Sequence, residues 1–100
     1  MDICIYRYKP SNSISTKFTF SSEPEMDHFL SMIEEKLIPN LIDEDQDEVK
    51  CNMNALRIRC ERYKETTGEL TGFLSEYEAK VLTDLLLHLD NPIKAKEIKI

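Results

Sequence analysis

One hundred residues carry 13 Lys and Arg against 19 Asp and Glu, a formal net charge of −6, with 41% apolar and 32% charged residues. That composition is ordinary for one globular domain spanning residues 1–100, and it excludes a disordered chain. The longest aliphatic run, Leu85-Leu86-Leu87, is far too short to cross a bilayer. Residues 1–7 lack the basic and long apolar regions of a secretory signal. A cytoplasmic protein with no membrane association is expected. Three cysteines, Cys4, Cys51 and Cys60, fit reduced thiols in that compartment, because an odd number leaves one unpaired.

In chain order, residues 2–9 predict a strand with Ile3 and Ile5 on one face and Cys4, Tyr6 and Tyr8 on the other. Residues 14–20 alternate Thr16, Phe18 and Phe20 against Lys17 and Thr19, and the turn composition of Pro10 to Ser13 joins the two strands as an antiparallel hairpin. Ser22-Glu23-Pro24-Glu25 is a capping box that opens a helix. Met26, Phe29, Leu30, Ile33 and Leu37 then form one apolar stripe, and Pro39 ends it.

Residues 43–48 predict an acidic loop. Residues 50–63 predict a long strand in which Leu56, Ile58 and Cys60 alternate with Arg57, Arg59 and Glu61. Lys64 to Gly68 is a turn, and Glu69 to Leu74 is a short strand. Ser75-Glu76-Tyr77-Glu78 repeats the capping box. A second helix runs to about Asp90, stopped by Asn91-Pro92, and residues 93–100 form a terminal strand.

This pattern predicts an α+β two-layer sandwich in the order ββαββαβ. Its sheet is antiparallel or mixed, with both helices on one face. Without one hairpin strand the order permits a ferredoxin-like split arrangement. The expected core comprises Ile3, Ile5, Phe18, Phe29, Leu30, Ile33, Ile58, Leu82, Leu86 and Leu89.

Charge is sorted by segment. Residues 21–48 hold ten acids against one base, Lys36; residues 49–64 hold five bases against one acid, Glu61. The acids suggest a recognition surface made of Glu34, Glu35, Asp43, Glu44, Asp45, Asp47 and Glu48, directed at a basic protein. A small acidic binding module is therefore expected, of the inhibitor or immunity-protein kind.

Two alternatives stand beside it. The second helix is apolar over about 200° of its circumference, more than one sheet needs. That points to a homodimer or an accessory subunit with Val81, Leu85 and Leu87 at the interface. Arg57 and Arg59 with Tyr63, joined by Arg7 and Lys17, could give a basic sheet face for RNA. The net negative charge argues against nucleic acid.

Signatures of chemistry are missing. Asp43-x-Asp45-x-Asp47 opens like a calcium loop, but Glu48 stands where glycine is needed and Asn54 where the bidentate Glu is needed. His28 and His88 have no nucleophile or metal partner at a telling spacing. No phosphate loop, nucleophile elbow or paired-Cys motif occurs. No enzyme, catalytic residue, metal or cofactor is expected.

Overall fold

The hairpin forms where the alternation predicts it. The structure, a computed structural model, describes residues 1–8, 10–86 and 96–99, with side chains described through residue 82. Strands β1 (Asp2–Tyr8) and β2 (Ser13–Phe20) pair antiparallel, with Ile3 opposite Phe18 and Cys4 opposite Lys17. Asn12 enters the left-handed region at φ 53 as the chain turns, a conformation asparagine tolerates better than most residues.

Strand β3 (Leu70–Ser75) adds antiparallel to β2, with Phe18 opposite Gly72 and Lys17 opposite Phe73. Strand β4 (Lys96–Lys99) adds parallel to β1, and the strand order is β3-β2-β1-β4. The sheet is an antiparallel three-stranded unit extended by one parallel strand. One face carries the buried residues Ile3, Thr16, Phe18, Phe20, Leu70 and Leu74.

Helix α1 (Glu23–Met32) starts at the predicted box. The Glu25 N–H donates to the Ser22 hydroxyl at 3.3 Å, and the Glu25 carboxylate accepts from the Ser21 N–H and hydroxyl. Phe29 docks the helix on the sheet, its ring 5.9 Å from Phe18 and 5.6 Å from Phe20. The chain then widens into a π-helical turn, Ile33–Leu37, closed by the Ile38 N–H donating to the Ile33 carbonyl. A 3₁₀ turn, Ile38–Asn40, contains Pro39 and leads out of it. The wider turn lets Ile33, Leu37 and Ile38 all be buried beside the α1 stripe.

The largest departure from expectation follows. Residues 43–48 are not a loop, and 50–63 are not a strand. Both belong to one 25-residue helix, α2 (Asp43–Thr67). Its buried residues Val49, Met53, Leu56 and Cys60 repeat at i, i+4, i+7 and i+11, a helical period. The strand reading used Leu56, Ile58 and Cys60. On a helix, 56 and 60 share a face while 58 points away, and Ile58 is 41% exposed. Helix formers dominate the segment, with Val49, Ile58, Thr66 and Thr67 as its β-branched residues. Gly68 ends the helix in the left-handed region at φ 82, its N–H donating to the Lys64 carbonyl at 2.8 Å.

Helix α3 (Glu76–Leu86) follows the second box. The Glu78 N–H donates to the Ser75 hydroxyl, and the Glu78 carboxylate accepts the Ser75 N–H at 2.9 Å. Ala79 and Leu82 are buried, and Val81 packs against the core.

The expected order ββαββαβ with two helices is thus replaced by ββααβαβ with three. The ferredoxin-like arrangement rested on a strand at 50–63 that is helical. Ile58 leaves the expected core, and Ile5 is half-buried rather than fully buried. The side chains of Leu85 and Leu86, and the whole of Leu87, His88 and Leu89, lie outside the described residues.

Helix α2 meets β3 at Gly72. A Cβ there would stand 2.8 Å from the Cys60 sulfur and 2.9 Å from Leu56 Cδ1. Gly72→Ala is therefore expected to lose about 1–3 kcal/mol by overpacking, read as a lower urea midpoint with an unchanged slope.

Candidate functional site

The acidic residues sit on helical elements. Glu34 and Glu35 lie on the π turn, both exposed. Asp43, Glu44 and Asp47 are exposed, and Asp45 and Glu48 half-buried, on the first two turns of α2. The N-cap of α2 is Ile42, which offers no side-chain hydrogen bond. Acids in the first turn compensate, because a helix N-terminus carries about half a positive charge. That explains Asp43, Glu44 and Asp45.

It does not explain their density. Asp43 and Asp47, and Glu44 and Glu48, are like charges at i,i+4, an arrangement that destabilises a helix. No ion pair among the described residues involves any of the seven carboxylates. Four acids elsewhere are matched, whereas Asp2, Glu61, Glu65, Glu69 and Glu76 have no ion pair among the described residues. Glu23 meets Lys64 at 2.8 Å, Asp27 meets Arg57, Glu25 meets the Met1 amine at 2.7 Å, and Glu78 meets Arg59 at 2.9 Å. Beside the seven acids, Ile42 presents an aliphatic side chain 67% exposed.

The seven residues do not form one uniform cluster. Glu34 shares a groove with Lys50 and Asn54 of α2, to which Glu35 does not contribute. The run 43–47 that resembled the opening of a calcium loop is helical, so Asp45 projects from the side of the helix opposite Asp43 and Asp47 and the three carboxylates do not converge. No group of three or more His, Cys, Asp or Glu that could hold a metal occurs among the described residues.

The basic residues are placed differently from expectation. Arg57 and Arg59 are on α2, not on the sheet. Arg57 is held by Asp27. Arg59 makes a two-pronged contact with Glu78, at 2.9 and 3.0 Å, and donates to the Phe73 carbonyl at 2.8 Å. Asn52 adds a hydrogen bond to the Glu78 carbonyl. This cluster joins α2, β3 and α3, and sequence reading missed it. The signal was Arg59 nineteen residues before the capping Glu78, which is visible only once 50–63 is taken as a helix.

Tyr63 is also on α2, and Arg7 lies on β1 opposite Ile14. Of the proposed basic face Lys17 is left on the side of the sheet away from the buried row, 5.5 Å from the Tyr6 ring, where the Tyr6 hydroxyl raises its pKa. Of the proposed dimer residues, Val81 is half-buried, the Leu85 side chain and Leu87 lying beyond description. His28 is exposed on α1. Cys60 is buried, and burial pushes its thiol up to about 11, which suits a packing role and not a nucleophile. No described helix is long and apolar enough to cross a membrane.

The arginine fork holds the Glu78 carboxyl well below its ordinary 4.5, at about 2. A carboxylate depressed by folding contributes stability above its unfolded pKa and loses it as pH falls through the folded value. Glu78→Gln should lower Tm at pH 6. The gap from wild type should close between about pH 5 and pH 2, as a thermal melt series would show.

No protein-family model, curated protein or solved structure matches this chain.

Proposed function

We propose that this is a non-enzymatic binding module, working in the cytoplasm, that engages a basic protein surface through the first two turns of α2 and the adjoining π turn. The observation that carries the reading is the contrast in pairing. The three acids of α1 and Glu78 of α3 are each matched by a cation, while seven acids between Glu34 and Glu48 have no ion pair among the described residues, five of them within the first two turns of α2. A fold gains nothing from like charges at i,i+4, and an unmatched field at a helix end raises the encounter rate with a cation. Exposed Ile42 supplies an apolar anchor within that field. An inhibitor or immunity-type role is consistent with such a surface. We read the fold as a two-layer sandwich, helices over the buried sheet face, which puts this surface at one end of the helical layer.

The experiment is charge reversal. Wild type and the Asp43→Lys, Asp45→Lys, Asp47→Lys triple variant are used as bait in the same lysate, after both are shown to fold. A basic protein captured by wild type and lost by the variant supports the reading. Equal capture with an equal association rate at low salt overturns it, since screening is weakest there.

A further inference from the structure

We propose that the groove between the end of α1 and the middle of α2 binds a small zwitterion, an α-amino acid with an apolar side chain. The groove holds about 300 Å³, the low end of the range of about 300–1,000 Å³ for small-molecule sites. Its floor is Leu30, Ile38 and Met53, core residues that keep 7%, 4% and 7% of their surface. One wall carries the Glu34 carboxylate. The opposite wall carries Lys50 and Asn54, one turn apart on the same side of α2.

Two features make this more than a cleft between helices. The anion and the cation share the groove, yet neither has an ion pair among the described residues. A second cation, Arg57, also lines the groove and is paired with Asp27. Second, Glu34 stands on the π turn, Ile33–Leu37. Such widenings recur at functional sites because they re-aim side chains. Here the turn brings an anion to a groove whose other wall is cationic.

The complementarity selects the ligand. Its ammonium meets Glu34, and its carboxylate meets Lys50 with the Asn54 amide donating. Its aliphatic chain covers Leu30, Ile38 and Met53. A monovalent ligand leaves one wall unmatched. The groove shares Glu34 with the acidic contact surface proposed above, and Lys50 and Asn54 belong to the groove alone.

The test is amide-resolved NMR titration of the full chain with L-leucine. Parallel titrations use 4-methylpentanoate, which lacks the ammonium, and isoamylamine, which lacks the carboxylate. Saturable shifts are expected around residues 34, 50 and 54, with a dissociation constant on the order of 1 mM. Each truncated ligand should bind about 10-fold more weakly, as for loss of one charged hydrogen bond. Glu34→Gln should erase the advantage of leucine over 4-methylpentanoate, and Lys50→Gln its advantage over isoamylamine. Both residues are exposed, and the variants' spectra report their folding. Shifts confined to other regions, no saturable shift with leucine, or equal binding of the three ligands would each overturn the proposal.

Discussion

Replacing Leu56 by Ala is expected to cost about 2–5 kcal/mol, whereas Ile58→Ala should stay within about 0.5 kcal/mol of wild type. Leu56 is fully buried, and its Cδ1 lies against Gly72 where α2 crosses β3. Truncation leaves a cavity that neither a glycine nor a helix backbone can fill. Ile58 lies two residues on, which is 200° around a helix, and much of its side chain is in water. A strand would have put both on one face and given them similar costs. Urea titration of the two variants therefore reads the period of the segment directly. Equal losses would mean that the helix is wrong.

Phe29→Ala carries the next largest expected effect, about 3–5 kcal/mol. Phe29 is 3% exposed and touches two aromatic rings of β2, so its removal takes away both burial and tilted ring contacts. It is the aromatic tie between α1 and the sheet. Loss of that tie should also loosen the π turn that follows. Chemical denaturation of the variant, followed by circular dichroism, checks it. A midpoint like that of wild type would mean that α1 does not rest on Phe18 and Phe20.

The hairpin and both capping boxes were legible because their signals are local. Alternation at 14–20 and a Ser followed three residues later by Glu each depend on a few neighbours. Residues 43–67 were not, for a reason that can be named. Leu56, Ile58 and Cys60 satisfy a period of two over five residues. The helical set Val49, Met53, Leu56 and Cys60 needs twelve residues to be seen. The acidic start also imitated a loop, since Asp and Glu in succession have no apolar phase to read. Yet the charge sorting was itself the clue. Acids first and bases after are what a helix dipole favours, and a single helix with an acidic front and a basic rear unites the two blocks. The π turn, the Glu34 groove and the Arg59–Glu78 fork depend on how α2 sits against α1 and α3. No local pattern encodes that.

If the unmatched acids at the front of α2 form the contact surface, hydrogen exchange of the free protein and of its complex with the captured basic partner will show it. First-turn amides of a helix have no intrahelical acceptor, so those of residues 43–45 should exchange fast when free. In the complex, exchange should slow across residues 34–48, and the effect should weaken as salt is added. Protection confined to the Tyr6 and Lys17 face of the sheet, with residues 34–48 unchanged, would place the contact elsewhere.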